Sequence, residues 1–217
     1  MAIRLYHFTE AQHALTSIAL HRLKIAQVTQ LNDPYELSAI YVKDPEQRGL
    51  RQLLVSEFDG KQGIICFSRD YQSPVMWAHY AKNHTGICLG FDVDEDIAIE
   101  VKYIKDLLRF EKDRPPTLAN ALDIISSKYV SWEYEKEYRI FASLDSETIE
   151  HGNYFLDFSN SVRLREVVIG CRCEISTSAI RELVKSFDYP VYVIKTRLAF
   201  TDFKVVEDRN FRAPSGI

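Results

Sequence analysis

The segment GIICFSRDYQSPVMWAHYAKNHTGICLGFDV, residues 63–93, contains the clearest secondary-structure pattern in the chain. Two apolar runs, at 63–68 and 86–93, have the length and composition of buried strands. Between them, residues 73–82 predict a helix with Pro74 at its first position, where proline is favoured. The segment therefore predicts two buried strands that are joined through a short helix.

Patterns elsewhere in the chain predict further strands and helices. Strands are predicted at 4–8, 22–28, 97–103, 131–141, 155–158, 166–170 and 190–196. Helices are predicted at 10–22, 46–58, 116–130 and 177–187. Because the strands come in adjacent groups as well as in alternation with helices, we expect an α+β fold with mixed or antiparallel sheets and flanking helices. The 217 residues suit one domain, predicted at 1–207, with a flexible C-terminal tail at 208–217.

Composition and charge limit the classes of function. The net charge of -4 gives no support for the basic face that tight, nonspecific nucleic-acid binding needs. No apolar run is long enough to span a bilayer, and the N-terminus lacks a signal-peptide core, so we expect a cytoplasmic protein without a membrane partner. The four cysteines are expected to be free thiols, because the lone Cys171-x-Cys173 has no second pair with which to bind zinc.

The segment SWEYEKEYRIF at 131–141 concentrates charge in a way that a strand does not ordinarily tolerate. Its alternating charged residues are Glu133, Glu135, Glu137 and Arg139. Its large rings are Trp132, Tyr134 and Tyr138, which are expected to anchor the strand in or near the core. Residues two apart in a strand share a face, so the like charges would repel one another. We interpret Glu135, Glu137 and Arg139 as lining a cleft in which a cation forms or an anion binds.

Other polar and aromatic residues stand where a cleft would use them. They are His7 in an apolar strand, Asn32, Asp33 and Glu36 in one turn, Ser68 at a strand end, and Trp77 and Tyr80 on one helix. Each has an ordinary structural explanation, such as turn chemistry for Asn and Asp or core packing for the rings. Taken together, they predict one cleft that also contains the paired glutamates.

The segment FDVDEDIAIEVKY at 91–103 allows a different chemistry. Asp92 followed by Glu100-x-Lys102 on a strand is a pattern that holds Mg²⁺ and activates water in restriction-type nucleases. An acidic loop that enters an amphipathic strand explains the same residues. A Mg²⁺-dependent nuclease is therefore an alternative hypothesis.

Six motifs in chain order resemble a bacterial family of domains of unknown function. They are LYHFT at 5–9, LNDPYE at 31–36, CFS at 66–68, MWAHYAKNHTGICLGFD at 76–92, WEYEKEYRIF at 132–141 and VVIG at 167–170. The resemblance covers most of the chain. Some members of that family are associated with toxin or anti-phage loci, which implies a toxin or defence effector with an antitoxin or phage protein as a partner.

The order of a first-strand histidine, a strand-end serine and a later Glu-x-Glu is similar to the ADP-ribosyltransferase superfamily. That resemblance implies a related fold, NAD as the substrate, and a protein or nucleic acid as the acceptor of ADP-ribose. It implies that His7 binds a ribose, that Tyr80 stacks on nicotinamide, and that Glu137 is catalytic with Glu135 beside it. The remaining residues expected to bind NAD are Asn32, Asp33, Glu36, Ser68, Trp77 and Arg139.

Three hypotheses of function follow from the sequence. The first is an ADP-ribosyltransferase or NAD glycohydrolase, and the second is the Mg²⁺-dependent nuclease. The third is a sensor module without enzymatic activity, which binds a nucleotide or a phage protein through the same polar residues.

Overall fold

Most of the predicted strands join into one eight-stranded sheet in the computed structural model. The structure describes residues 1–43, 45–109, 118–144 and 149–210. Its strands are β1 (Ala2–Thr9), β2 (Arg22–Ile25), β3 (Gln62–Ser68), β4 (Ile87–Asp94), β5 (Ile99–Glu100), β6 (Lys102–Ile104), β7 (Ser127–Tyr129), β8 (Glu137–Ser143), β9 (Tyr154–Asp157), β10 (Val162–Ile169), β11 (Tyr192–Leu198) and β12 (Val205–Glu207). Its helices are α1 (Ala11–Ala19), α2 (Pro45–Asp59), α3 (Pro74–Tyr80), α4 (Leu118–Ile125) and α5 (Thr177–Leu183). Short 3-10 helices lie at Val28–Gln30, Val130–Glu135 and Val184–Ser186.

The large sheet has the strand order β12-β11-β10-β4-β1-β3-β8-β5. Its neighbouring strands are antiparallel except for β10 and β11, which are parallel. Two small sheets pair β2 with β9 and β6 with β7. This arrangement confirms the predicted single α+β domain with a mixed sheet and flanking helices.

The large sheet separates between β1 and β3. β1 and β4 are paired along eight residues, whereas among the described residues β1 and β3 have one register position in common, Tyr6 opposite Ser68. Nearer its start, β3 is bridged instead to the chain after β2, through Ala26 and Ile64. The splayed strands leave a gap within the sheet, and this gap is where the predicted cleft residues lie.

Apolar side chains form the core on one face of the sheet. The largest cluster includes Leu5, Phe91 and Leu164, and α1 packs against it with Ala14 and Ile18. All five side chains have no solvent exposure. Burial of such side chains contributes roughly 1.5–3 kcal/mol each for the larger residues, so this cluster provides a rigid base for the gap.

The prediction of one continuous strand at 131–141 is wrong. Residues Val130–Glu135 form a 3-10 helix, which ends at Lys136 in a left-handed conformation with φ 46°. The Lys136 N–H donates to the carbonyl of Glu133 and closes the helical turn, so that β8 begins only at Glu137. Glu133 is consequently exposed, whereas Glu135 and Glu137 are buried.

Two other predicted elements are each divided in the structure. The predicted strand 97–103 is divided into β5, which pairs with β8, and β6, which pairs with β7, because the Lys102 N–H turns to the carbonyl of Ser126. The predicted helix 116–130 is the shorter α4 followed by β7, and its residues 116–117 lie outside the described residues. Of the predicted tail 208–217, Asp208 donates its N–H to Lys195 at 2.8 Å, and 211–217 lie outside the described residues.

The cysteines are free thiols, as the sequence predicts. Among the helices of the described residues, none combines the length and apolarity needed to cross a membrane.

Candidate functional site

A cavity of about 710 Å³ opens where β1 and β3 separate. We call it the split-sheet cavity. Its volume lies in the range of about 300–1,000 Å³ that is typical of small-molecule sites. The predicted site residues that line it are His7, Asn32, Glu36, Ser68, Tyr80, Glu135 and Glu137. The structure thus brings together seven of the ten residues that the sequence indicated.

Three predicted site residues do not line the cavity. Arg139 has no solvent exposure, because its guanidinium binds internal carboxylates. Trp77 is equally buried and packs on Phe8, with its indole N–H donated to the Tyr71 carbonyl at 2.6 Å. Asp33 shapes the turn, since its carboxylate accepts the Tyr35 N–H at 2.9 Å. The predictions that these residues bind a ligand are therefore not supported by their positions.

Strand register aligns one row of residues across the gap. Tyr6 lies opposite Ser68 on β3, and Ser68 lies opposite Glu137 on β8. His7 follows Tyr6, at the point where the strands separate. The Ser68 hydroxyl donates to the Glu135 carbonyl at 2.7 Å and so ties the 3-10 helix to the end of β3. Because neighbours along a strand point to opposite faces, Tyr6 shares a face with Ser68 and Glu137, whereas His7 points to the opposite face, against Phe67. His7, Ser68 and Glu137 nevertheless all line the cavity.

Two cations neutralise most of the acidic charge beside the cavity. We call this group the ion cluster, and it consists of Glu36, Lys128, Glu135, Glu137 and Arg139. Lys128 Nζ lies 2.6 Å from Glu135 Oε2 and 3.0 Å from Glu137 Oε2. The same Nζ is 3.9 Å from Glu36 Oε2. The repulsion expected between paired glutamates is thus relieved by a buried lysine.

Arg139 supports the same carboxylates from inside the protein. Its Nε donates to Glu137 Oε1 at 2.8 Å, and one terminal nitrogen donates to Glu137 Oε2 at 3.1 Å. It also lies 2.6 Å from Glu36 Oε1, and its other terminal nitrogen donates to the Ile125 carbonyl. A two-pronged contact of this kind fixes the orientation of a carboxylate as well as its charge.

The two glutamates of the Glu-x-Glu pair titrate differently. Burial opposes the ionised form of Glu137, but Arg139 and Lys128 outweigh it and hold the pKa at about 2. Burial raises the pKa of Glu135, against the opposing effect of Lys128. Burial likewise raises the pKa of Glu36. Glu137 is consequently ionised near pH 7, while Glu135 is the carboxylate better able to exchange a proton.

A chain of hydrogen bonds leads from the ion cluster to the surface. The Tyr80 hydroxyl donates to Glu135 Oε1 and accepts the side-chain N–H of Asn32 at 2.7 Å. Burial, together with this bond to Glu135, raises the pKa of Tyr80. Nearby, the Tyr134 hydroxyl lies 3.0 Å from His79 Nδ1. Three rings therefore stand along one wall beside a carboxylate that is held in a fixed direction.

His7 adopts a defined tautomer in the gap. Its Nδ1 lies 2.9 Å from the Cys66 carbonyl, which can only accept, so Nδ1 carries the proton. Burial lowers the pKa of His7, against the opposing effect of that hydrogen bond. The ring is therefore neutral near pH 7, and Nε2 keeps a lone pair that can accept a hydrogen bond.

Sequence reasoning missed Lys128, and it assigned Trp132 and Tyr134 to the core. Lys128 was placed inside a predicted helix, although the structure has it on β7. Trp132 and Tyr134 belong to the 3-10 helix and line the cavity. The available signal was charge balance, because three buried glutamates require more than one cation.

The residues of the nuclease hypothesis lie on separate parts of the sheet. Asp92 is on β4 and pairs with Arg4 and Arg165, whereas Glu100 is on β5. Three strands, β1, β3 and β8, lie between β4 and β5. Lys102 binds Asp123 at 2.8 Å. The structure therefore does not bring these residues into one site.

The fold and site define an α+β protein with an acidic, ring-lined cavity in a split sheet. The model of a family described as "Protein of unknown function (DUF2971)" matches residues 76–140. This match confirms the resemblance to a family of unknown function, and it covers less than half of the chain. The matched part runs from α3 into β8 and contains Tyr80, Lys128 and Glu135. No curated protein and no solved structure matches the chain.

Proposed function

We propose that the protein binds NAD in the split-sheet cavity and cleaves the bond between nicotinamide and ribose. In this reaction the glycosidic electron pair leaves with nicotinamide, and the ribose carbon bonds to an acceptor oxygen that loses its proton. The acceptor is water in a glycohydrolase and a macromolecule in an ADP-ribosyltransferase. The observation that carries the proposal is that His7, Ser68 and Glu137, from three neighbouring strands, all line one cavity.

The charge of the ion cluster suits this reaction. Breaking the bond builds positive charge on the ribose, as in glycoside hydrolysis, and carboxylates stabilise such charge. Three carboxylates face two cations here, so one negative charge is in excess when all five groups are ionised. Because Glu137 is held rigidly and stays ionised, its charge needs no reorganisation during the reaction.

Glu135 is suited to a second task. A general base works best when its pKa lies near the pH of the reaction, and burial moves the pKa of Glu135 in that direction. In our proposal Glu137 stabilises the ribose cation, and Glu135 accepts the proton of the attacking hydroxyl.

The walls of the cavity suit the remaining parts of NAD. Tyr80, Trp132 and Tyr134 offer ring faces to a planar base, and stacking on such rings contributes about 1–3 kcal/mol per base. The neutral His7 offers Nε2 to a ribose hydroxyl. These contacts together would orient nicotinamide toward the ion cluster.

The biological setting is part of the same proposal. We place the reaction in the cytoplasm, where the protein acts as a toxin or defence effector under the control of an antitoxin or a phage protein. A binding module without turnover is the second candidate, because the carboxylates of the ion cluster already have internal cations.

The first experiment is incubation of the purified protein with NAD, with and without cell lysate, while nicotinamide release is followed by chromatography. Release without lysate favours a glycohydrolase, and release only with lysate favours transfer to an acceptor. A rise in melting temperature with ADP-ribose but no release favours the binding module. If the protein neither releases nicotinamide nor shows a rise in melting temperature, the proposal is contradicted.

A further inference from the structure

Lys128 occupies an unusual position for a lysine. Its side chain is 4% exposed, on the short strand β7, and its Nζ contacts one oxygen of Glu135 and one of Glu137. Nζ lies 2.6 Å from the Glu135 oxygen and 3.0 Å from the Glu137 oxygen, so the two oxygens can be no farther apart than the sum of these distances. A single ammonium group therefore holds both carboxylates of the Glu-x-Glu pair side by side.

The other groups around Lys128 Nζ lie farther from it than these two oxygens do. Glu36 Oε2 lies 3.9 Å away, and the Trp132 ring centroid lies 5.0 Å away. Around the two glutamates, Tyr80 binds the other oxygen of Glu135, Arg139 binds Glu137, and the Tyr103 hydroxyl accepts the Glu137 N–H. Within the described part of the chain, Lys128 is the cation that contacts Glu135.

We infer that Lys128 is a positioning residue, which fixes Glu135 and Glu137 as an adjacent ionised pair so that each can perform its own task. The inference rests on the proposed function for the meaning of those tasks. The inference goes beyond the proposed function because, in that proposal, Lys128 itself contacts neither nicotinamide nor the acceptor. Its effect passes through the two carboxylates.

The physical argument concerns the charge that remains without Lys128. Arg139 would still contact Glu137 and Glu36, but Glu135 would lose its cation, and one cation would then face three carboxylates. An opposite charge at this distance typically lowers the pKa of a carboxyl by about 1–3 units, so its removal raises the pKa of Glu135. Glu135 would then be protonated, and inactive as a base, over a wider range of pH.

The test begins with Lys128→Met, which keeps most of the volume and removes the charge. We expect the acidic limb of the pH–rate profile for nicotinamide release to move upward by about one pH unit or more. At pH values on that limb, a displacement of one unit corresponds to about a tenfold lower kcat, and KM should change less. An unmoved limb in a folded Lys128→Met protein would overturn the inference.

Lys128→Met/Glu36→Gln is the matched control, because it restores the charge balance of the ion cluster. Glu36 contacts Lys128 and Arg139, not Glu135, so the substitution should restore the melting temperature and leave the acidic limb displaced. Recovery of both properties would mean that Lys128 serves only charge balance, and would overturn the inference. The double variant also serves if Lys128→Met alone does not fold.

A carbon-13 NMR titration of the Glu135 carboxyl, assigned with Glu135→Gln, separates this inference from the proposed function. Wild-type protein that releases no nicotinamide overturns the proposed function. The titration still decides whether Lys128 holds the pair: a higher pKa of Glu135 in the lysine variants supports this, and an equal pKa overturns it.

Discussion

Glu135 and Glu137 are two residues apart, yet their surroundings give them different properties. Glu137 receives hydrogen bonds from Arg139 on both oxygens, whereas Glu135 receives them from Tyr80 and Lys128. The guanidinium and the lysine keep the pKa of Glu137 low, while burial raises that of Glu135. Environment therefore separates an electrostatic role from a proton-transfer role within one Glu-x-Glu pair.

The low pKa of Glu137 predicts how stability depends on acid. A carboxyl whose pKa falls from 4.5 to about 2 on folding stabilises the protein fully above 4.5 and loses this contribution as pH falls to about 2. The difference in free energy of unfolding between wild type and Glu137→Gln should therefore shrink over that window. Urea denaturation at several pH values between about 5 and about 2 measures it. A difference that stays constant would contradict the assignment.

Removal of Arg139 should be far more damaging than removal of an exposed cation. Arg139→Met leaves Glu36 and Glu137 with an uncompensated buried charge, for which a loss of about 3–5 kcal/mol in free energy of unfolding is typical. Lys102→Met breaks the exposed pair with Asp123 and should cost less than about 1 kcal/mol. Urea denaturation at pH 7 compares the two variants. Equal losses would show that the ion cluster is not buried as described.

At the scale of elements, the left-handed Lys136 divides the Glu-x-Glu segment. The 3-10 helix before it turns Glu135 toward Tyr80, and β8 after it places Glu137 on the sheet.

Two glycines, in the motifs at 76–92 and 167–170, stand where a side chain would not fit. A Cβ at Gly86 would lie 2.3 Å from the Thr9 carbonyl oxygen, and one at Gly170 would lie 2.3 Å from that of His84. These glycines allow the ends of β4 and β10 to approach the neighbouring chain.

The conformation of Lys136 predicts an unusual order of stability, in which a glycine variant is more stable than an alanine variant. Glycine adopts a left-handed conformation without the steric cost of about 1–2 kcal/mol that a Cβ introduces. Lys136→Gly should therefore be about 1 kcal/mol more stable than Lys136→Ala. Both variants lose the ion pair with Asp70, so alanine is the matched control. In an ordinary strand the order is the reverse, and chemical denaturation that gave this reverse order would contradict the break at Lys136.

At the scale of the whole molecule, the apolar strands and most helices were predictable because their periodicity is local. The pairing of Tyr6 with Ser68, and the separation of the strands beyond it, depends on contacts across 62 residues that no local pattern records. The cavity was predictable in part, because His7, Asn32 and Ser68 stand where core residues are unusual. The position of Lys128 beside the cavity was not predictable, since a lone lysine near a helix end is ordinarily a solvated residue.

Comparison of two glutamine variants in the nicotinamide-release assay tests the central claim most directly. Glu137→Gln removes the ionised carboxylate at the cavity, and Glu133→Gln changes an exposed residue of the same segment. We predict that Glu137→Gln, confirmed as folded by its melting transition, releases nicotinamide about 100-fold or more slowly than wild type, because one preorganised stabilising group is lost. Glu133→Gln should retain the wild-type rate. Wild-type release by folded Glu137→Gln would contradict the assignment of this cavity as the site of NAD cleavage.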